Sequence, residues 1–435
     1  MQRKYRKIIF FIFAAFFIIS IPIILLYTGG YRYNIKKNRL EKTGNLVVNV
    51  KNKGATLYLN EKKFENKEEF RMQNILPGEY LIKITKEGYF DWQKKLAIES
   101  EITTFIKDAR LFKQSLPINI IDKNTGALFY SPNGKLFITD IYIKKDSNYQ
   151  AVIFNVETET YKKLFSSASP LLGTAWSGDS NKFIIETVSG FQLFDVNGEK
   201  TELPKITNIK KIKWDEKNGM VLYVENDKGI YKIDMLFNTS NLLYPLSGTI
   251  DDFSISGNYL YITEGFLLKQ IDIKDNTDII PIPLERKNYL IKNILDKKIF
   301  LLNQENKLQV FDIPLNKLSI PILIANAKDF DLLDNNLLYY DDFELWTYTF
   351  DKEEKTLITR IGENIKKARW LNGSDYIIFI LENKLEIIEM DKRDHRQTVE
   401  MAKFDDIGDM LITKNFYIYF TGQLQNSKGL FKMEI

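Results

Sequence analysis

Three stretches of the chain follow one pattern: VENDKGIYKID at 224–234, LLNQENKLQVFD at 301–312 and FILENKLEII at 379–388. In each stretch, two runs of alternating apolar and polar residues flank a polar turn that contains Glu-Asn. Alternation with a period of two is typical of half-buried β-strands, and Asn favours the tight turn of a hairpin. The pattern therefore predicts three equivalent β-hairpins.

These hairpins belong to a repeat of about forty residues that runs from residue 126 to the C-terminus. Its first marker is an apolar strand ending in an acid or amide, which recurs after 40, 39, 38, 40, 39 and 40 residues at Asn155, Asp195, Asp234, Asp272, Asp312, Asp351 and Asp391. Its second marker is a large apolar residue before a polar turn (as in WLNGS, 370–374), found at Tyr130, Trp176, Trp214, Phe253, Ile294, Phe330, Trp370 and Met410. About four short strands in such a period are typical of a WD40-like β-propeller blade. The abundance of Ile, Tyr, Phe and Val argues against a helical repeat.

The number of blades follows from the two ends of this region. Eight first strands can be counted, but the last unit stops after its third strand at KGLFKMEI, residues 428–435, which leaves an unpaired outer edge. A spare strand, SLPINIID at 115–122, precedes the first unit. We therefore predict an eight-bladed β-propeller over residues 114–435 in which this spare strand completes the last blade. Seven blades is the alternative.

The N-terminal segment, residues 1–42, contains an uncharged apolar run at 8–27. Twenty residues in a helix span about 30 Å, the thickness of a bilayer's hydrocarbon core. The run is longer than a signal-peptide core and no small-x-small cleavage pattern follows it, which favours an uncleaved anchor. Basic residues flank both sides, so they do not set the orientation. Because large domains translocate regardless of charge, we expect a short cytoplasmic tail, a single membrane span with a linker, and an extracytoplasmic remainder.

Composition excludes several function classes. Residues 1–42 hold nine Lys/Arg and one acid, whereas the other 393 residues hold 52 basic and 56 acidic side chains, so a nucleic-acid partner is not expected. The absence of cysteine excludes disulfides, thiolate metal sites and a cysteine nucleophile. The single histidine, His395, lies in the polar stretch DKRDHRQ at 391–397 and is expected to be a solvated loop residue. With no His pair and no phosphate-binding Gly-rich loop, we expect no catalytic, cofactor-binding or metal-binding residues and a protein that is not an enzyme.

Between the anchor and the repeats, residues 43–113 alternate by two in five runs: NLVVNV, ATLYLN, EYLIKIT, WQKKLAI and TTFIKDARLF. Gly54, Pro77-Gly78 and Gly88 separate these runs as turns. At Pro77-Gly78 a type II turn is expected, with a positive φ at Gly78. The pattern predicts a small domain built from strands.

This small domain resembles the PEGA domain, a β-sandwich module common in bacterial envelope proteins. The resemblance covers about residues 43–112 and is carried by Gly44-Asn45-Leu46 with Val47 and Val48, by Gly54-Ala55 with Leu57-Tyr58-Leu59, by Leu76-Pro77-Gly78-Glu79-Tyr80, and by Glu87-Gly88-Tyr89. Asn52-Lys53 and Asn60-Glu61 depart from the Pro-Glu and Asp-Gly of the family's pattern. The resemblance implies surface presentation and interaction in the cell envelope and brings no catalytic residues.

The expected fold class is thus all-β, with an N-terminal transmembrane helix, a PEGA-like β-sandwich and a C-terminal β-propeller. The expected function is that of a single-pass membrane-anchored envelope protein that binds or scaffolds a protein or glycan. The alternative is a glycan-active hydrolase that uses carboxylates in the propeller channel. We expect Trp176, Trp214 and Trp370 to pack between blades. A set of acids is expected on one rim, where they either sit in solvated turns or attract cations: Glu225, Asp227, Glu305, Asp341, Asp342, Glu344 and Glu382.

Overall fold

The structure, a computed structural model, describes residues 3–65, 69–203, 206–246, 248–274, 278–371 and 375–435. It begins with one long helix, α1, Arg3–Thr28. Within it, Tyr5–Thr28 is long and apolar enough to cross a membrane, and the run predicted at 8–27 lies inside this segment. A signal sequence near the N-terminus also contains an apolar helix of this kind.

The segment after the helix, predicted as a linker, contains a β-hairpin. Strand β1, Tyr31–Asn34, pairs antiparallel with β2, Arg39–Lys42. The carboxylate of Glu41 accepts hydrogen bonds from the Asn34 amide at 2.7 Å and from the Arg39 guanidinium at 2.7 Å. These bonds lower the pKa of Glu41 to about 2. The hairpin therefore joins the helix to the small domain through an ordered segment.

The small domain is a sandwich of two sheets. Its strands are β3 (Gly44–Val50), β4 (Thr56–Leu59), β5 (Lys62–Glu65), β6 (Glu69–Ile75), β7 (Gly78–Thr85), β8 (Trp92–Ile98) and β9 (Thr103–Ala109). Sheet A has the order β6-β3-β9, with β3 and β9 parallel, and sheet B has the order β5-β4-β7-β8. One apolar cluster fills the space between the sheets, with Leu46 and Val48 from sheet A and Leu57, Ile82 and Ile84 from sheet B.

The sequence located five of these seven strands and missed β5 and β6. The predicted type II turn with a positive φ at Gly78 is wrong, because the φ of Gly78 is not positive. Gly78 is the first residue of β7 and pairs with Ile98, so it needs an extended backbone. Asn74, at a φ of 57°, is the residue with the left-handed conformation at this turn.

The rest of the described chain forms eight four-stranded antiparallel sheets. Sheet 1 contains β11 (Phe129–Tyr130), β12 (Leu136–Ile143), β13 (Asn148–Asn155) and β14 (Thr160–Ser167), and sheet 2 contains β15 (Gly173–Trp176), β16 (Lys182–Thr187), β17 (Gly190–Asp195) and β18 (Lys200–Thr201). Sheet 3 contains β19 (Lys211–Trp214), β20 (Val221–Glu225), β21 (Gly229–Asp234) and β22 (Thr239–Pro245). Sheet 4 contains β23 (Asp252–Ser256), β24 (Tyr259–Glu264), β25 (Leu267–Asp272) and β26 (Asp278–Pro283). Sheet 5 contains β27 (Tyr289–Leu295), β28 (Lys298–Asn303), β29 (Lys307–Asp312) and β30 (Leu323–Asn326). Sheet 6 contains β31 (Asp329–Leu333), β32 (Asn336–Tyr340), β33 (Glu344–Thr349) and β34 (Glu354–Arg360). Sheet 7 contains β35 (Ile365–Trp370), β36 (Tyr376–Leu381), β37 (Lys384–Glu389) and β38 (Thr398–Lys403). Sheet 8 contains β39 (Asp406–Ile412), β40 (Tyr417–Leu424), β41 (Ser427–Glu434) and, from the other end of the region, β10 (Ile118–Ile121). A 3₁₀ turn, Phe350–Lys352, follows β33.

Both sequence markers fall where the repeat predicts them. All eight large apolar markers, from Tyr130 to Met410, lie in the first strand of a sheet. Five of the seven acid or amide markers end a third strand, and Asp351 and Asp391 follow one by two residues. The predicted turn WLNGS lies partly outside the described residues, at 372–374.

Neighbouring sheets are held together by shared apolar clusters. Sheets 1 and 2, for example, share the cluster of Ile138 and Phe183, and equivalent clusters join each later pair. Sheet 8 also packs on sheet 1, where Phe137 stacks on Phe154 with ring centroids 4.6 Å apart and both rings contact Tyr419. The sheets therefore follow one another as the blades of a propeller do, and the last sheet contacts the first.

Strand β10 supplies the outer strand of sheet 8, as predicted from the spare segment. It pairs antiparallel with β41, with Ile118 opposite Lys432 and Asn119 opposite Phe431. The approach is close at Gly429, where a Cβ would lie 1.8 Å from the carbonyl oxygen of Ile121. Only glycine fits this position without a shift of the backbone.

Candidate functional site

The ring of sheets has two faces, which we name by what they carry. Turns between the second and third strands open on one face, the hairpin face, and include residues 226–228, 304–306, 341–343 and 382–383. Turns between the third and fourth strands open on the opposite face, because successive strands are antiparallel. There the loop after β37, residues 390–397, contacts the sandwich, and we call it the docking loop. We call this second face the sandwich face.

The seven acids predicted on one rim all lie at the hairpin face, but cations from neighbouring loops pair with several of them. Asp227 pairs with Lys210 at 3.0 Å, and Asp342 pairs with Lys328. The remaining two pairs are Glu305 with Arg286 at 3.7 Å and Glu344 with Arg360, Oε1 to Nε 2.6 Å.

The other acids of the set have local structural roles. Glu225 is buried, and burial raises the pKa of its carboxyl. Asp341 accepts the backbone N–H groups of Phe343 and Glu344, both at 2.9 Å, and so shapes its turn. Glu382 lies in the turn after β36, where its backbone N–H donates to the carbonyl of Asn364. Within the described ranges, no three His, Asp or Glu side chains lie close enough together to hold a metal ion. The carboxylates of this face are therefore divided among turns and ion pairs.

An aromatic ring is exposed on the hairpin face at Phe343, in the turn between β32 and β33, as another is at Phe266 between β24 and β25. The Phe343 side chain is 49% exposed and lines a surface cleft of about 530 Å³ together with the paired Glu344 and Arg360. Hydrogen bonds from the Trp346 indole and then from Arg360 lower the pKa of Glu344, so this carboxylate stays ionised. Aromatic residues and arginine are the residue types enriched in protein–protein interfaces.

Acids on the first strands tie neighbouring sheets together. The Asp252 carboxylate accepts the backbone N–H of Ile291 at 2.9 Å, and Asp331 accepts that of Trp370 at 2.8 Å. Asp409 closes sheet 8 onto sheet 1 by accepting the N–H of Leu128 at 2.9 Å. These bonds link first strands of consecutive sheets, which is the position expected for strands around a central axis.

Two of these acids, together with Asp329 on β31, also form ion pairs. Lys213 pairs with Asp252 at 3.0 Å, Arg369 pairs with Asp329 at 2.8 Å, and Lys367 pairs with Asp409. Hydrolysis by a carboxylate pair needs one acid free to donate a proton and one free to attack or activate water. The four first-strand aspartates named here are engaged between sheets instead, so the arrangement does not favour the glycan hydrolase.

The tryptophan markers also join sheets, as predicted. The indole N–H of Trp176 donates to the carbonyl of Phe129 at 3.3 Å, and that of Trp214 donates to the carbonyl of Ala175 at 2.9 Å. Trp370 packs in the cluster shared by sheets 6 and 7. These side chains therefore belong to the scaffold.

The contact between the sandwich and the ring centres on Lys94, whose side chain is 0% exposed. Its ammonium lies 2.7 Å from the Glu389 carboxylate and donates to three backbone carbonyls of the docking loop, those of Asp391, Arg393 and His395, at 2.7 to 2.9 Å. Glu389 also accepts the Trp92 indole N–H at 3.0 Å. A buried charge needs such complete pairing, because transfer from water is otherwise strongly unfavourable.

The docking loop also covers the free edge of β8. The backbone N–H of Lys95 donates to the Asp394 carboxylate at 2.8 Å, and that of Gln93 donates to the Gln397 side chain at 3.1 Å. The hydrogen bond from Lys95 lowers the pKa of Asp394. His395 itself has a side chain that is 61% exposed, in agreement with the sequence, but the loop around it is a domain contact that the sequence did not indicate.

A second contact lies beside the first. The Tyr376 hydroxyl accepts the backbone N–H of Arg110 at 3.0 Å, and the Arg110 guanidinium lies 3.9 Å above the Phe416 ring. Burial lowers the pKa of this guanidinium. Phe112 packs edge-on against Tyr376 within the cluster shared by sheets 7 and 8. The sandwich thus rests on sheets 7 and 8.

Comparisons with known proteins identify the fold alone. No family model matches the chain, and no curated protein matches its sequence. Among solved structures, Saccharomyces cerevisiae Sqt1 is similar with a TM-score of 0.52 at 9% identity, over 74% of this chain and 99% of that one. The Dos1 propeller gives 0.51 at 12% identity over 72% and 94% of the chains, and the computationally designed Ika8 protein gives 0.50 at 9% over 72% and 97%. The repeat region is a β-propeller fold.

Proposed function

We propose that this chain is a single-pass membrane protein whose propeller binds a protein partner in the cell envelope through its hairpin face. The observation that carries the proposal is that the sandwich covers part of one face of the propeller and leaves the opposite face open. The sandwich, which follows the apolar helix, occupies part of the sandwich face, whereas Phe343 lies exposed on the opposite face. Propellers of this kind use a rigid scaffold to hold variable loops for recognition.

The proposed organisation has three parts: residues 1–42 with tail, span and linker hairpin, a PEGA-like sandwich at 43–113, and an eight-bladed propeller at 114–435. Eight sheets, each sharing an apolar cluster with the next, support the blade number. The uncharged run at 8–27 within the helix supports membrane anchoring, and the two-sheet sandwich supports the PEGA assignment. The bulk of the chain is proposed to be extracytoplasmic.

The membrane orientation is tested with protease added to intact cells that express the chain with a C-terminal tag. We expect the tag to be digested while a cytoplasmic control protein stays intact. Protection of both the tag and the control would contradict an extracytoplasmic propeller.

The binding face is tested by photo-crosslinking from single positions in the full chain within cells. A photoreactive residue in place of Phe343 is expected to yield a discrete crosslinked partner. The matched control is Phe237, an aromatic residue that is 72% exposed on the sandwich face, in the turn between β21 and β22.

The crosslinked partner is then purified and its affinity measured. We expect Phe343→Ala to weaken binding by more than about 1 kcal/mol, and Phe237→Ala to leave it unchanged. Crosslinks from position 237 but not from 343 would place the binding face on the other side. Equal affinity of the two variants and the unaltered chain would contradict a role for Phe343.

A further inference from the structure

The strand β9 forms an edge of sheet A that faces a large cleft. Sheet A has three strands and sheet B has four, and sheet A ends at β9 on this side. The cleft between the sandwich and sheet 7 has a volume of about 1180 Å³, and every residue from 103 to 109 lines it. An open strand edge presents backbone N–H and C=O groups that can pair with another strand.

The two strand edges that line this cleft differ. Side chains of the docking loop occupy backbone donors of β8, at Gln93 and Lys95. On β9, the carbonyl of Phe105 accepts a hydrogen bond from Arg393 Nη1 at 2.8 Å. That contact shows that the Phe105 backbone is directed into the cleft and can be reached by a donor from outside the sheet.

The register of β9 shows which of its groups are directed outward. Strand β9 pairs with β3 in parallel, with Val47 opposite Phe105. In a parallel pair, alternate residues direct both backbone groups to the partner strand. Since the carbonyl of Ile102 accepts the N–H of Asn45, Thr103 and Phe105 direct their groups away from β3. Two consecutive hydrogen-bonding positions are therefore presented to the cleft.

The cleft favours one kind of occupant. Arg393 reaches from the docking loop to β9 with a single side chain, so the ring stands close to this edge. An added strand lies about 4.8 Å from the edge it pairs with, and a cleft of about 1180 Å³ holds an extended segment but not a second folded copy. Seven acidic and three basic side chains line the cleft, and Lys94 and Lys51 pair with two of these acids from outside the lining, which still leaves an excess of acidic groups. We propose that the edge of β9 binds an extended, basic peptide segment of another protein as a fourth strand of sheet A.

The test measures peptide binding to the full chain in detergent by fluorescence anisotropy. The probe is a labelled peptide of about ten residues in which Lys and Val alternate, since strand addition uses main-chain bonds and alternate side chains. We expect this peptide to bind, and its version with alternate backbone amides N-methylated to bind at least about tenfold more weakly. A peptide that alternates Glu and Val is also expected to bind more weakly, because the cleft is acidic.

Two variants locate the binding edge. Phe105→Pro removes an N–H directed away from β3, which an edge strand tolerates, and is expected to weaken binding about tenfold. Phe105→Ala keeps the backbone donor and is expected to retain most of the affinity. Absence of Lys-Val binding, equal binding of the methylated peptide, or unchanged binding by Phe105→Pro would overturn the proposal. If Phe105→Pro does not fold, the comparison of the two peptides on the unaltered chain still decides.

Discussion

Two junctions of this molecule attach one sheet to another in different ways, one through aromatic rings and the other around a buried ion pair. Sheet 8 meets sheet 1 through aromatic rings, where Tyr419 of sheet 8 lies tilted or edge-on against the stacked rings of Phe137 and Phe154 in sheet 1. The sandwich meets the ring through a buried ammonium, Lys94, and the carboxylate of Glu389. Apolar packing is tolerant of direction, whereas a buried ion pair fixes one arrangement and is strongly destabilised when one partner is lost. We therefore expect the ring junction to contribute mainly to stability and the sandwich contact mainly to orientation.

The largest effect is expected at the apolar junction. Phe137→Ala removes a fully buried ring from the contact between sheets 1 and 8 and should lower the free energy of unfolding by about 3–5 kcal/mol, because it leaves a cavity. Denaturant unfolding of the purified chain measures this. The control is Phe237→Ala on the exposed turn, for which we expect a change within about 0.5 kcal/mol. Equal stability of the two variants would show that this junction does not hold the ring closed.

Loss of the buried cation should destabilise the other junction by a similar amount but in a local way. Lys94→Met leaves the Glu389 carboxylate without its cation and three docking-loop carbonyls without their donor. We expect this loss to lower the free energy of unfolding by about 3–5 kcal/mol. Hydrogen exchange should then increase in residues 390–397 and in β8, while sheets 2 to 5 keep their protection. Lys95→Met is the matched control, since the side chain of this exposed neighbour pairs at the surface with Glu79. Uniform loss of protection across all sheets would contradict a contact that serves orientation.

A smaller effect is expected where β10 closes sheet 8. In Gly429→Ala the new methyl group would overlap the carbonyl of Ile121, so the two strands must separate, which should cost about 1–3 kcal/mol. Gly362→Ala is the control, because apart from its chain neighbours no atom lies within 4 Å of the position that its new methyl group would take. Thermal unfolding should shift to lower temperature for the first variant and stay unchanged for the second. An unchanged midpoint for Gly429→Ala would mean that the β10–β41 pairing adds little to stability.

The smallest effect is expected from pH, which should weaken the sandwich contact before it weakens the junction between sheets 1 and 8. The hydrogen bond from the Lys95 N–H lowers the pKa of Asp394 in the folded chain. A lowered folded-state pKa stabilises the contact fully above the ordinary aspartate pKa of 3.8, and this contribution is lost as the pH falls below it. Hydrogen exchange in the docking loop should therefore rise below that pH before exchange in sheet 1 does. Asp394→Asn should remove the difference. A loop whose protection is independent of pH would exclude this contribution.

The ring was predictable from the sequence because its signals repeat. A first-strand apolar residue and a third-strand acid recur every forty residues, and each has a local cause in packing or in turn formation. The docking contact was missed, although one signal was present: in WQKKLAI, Lys94 takes the inward position between Trp92 and Leu96. A cation at such a position predicts a buried partner, but the partner is Glu389, 295 residues away in sequence. The linker hairpin carried a weaker signal still, since its strands are only four residues long.

The pairing of β10 with β41 also constrains how this chain can be assembled. β10 lies at residues 118–121 and its partner at 427–434, so the two strands that complete sheet 8 are separated by almost the whole propeller. During synthesis, the edge of β10 stays unpaired until β41 has emerged. If the chain is exported as proposed, the circle can close only after β41 has crossed the membrane.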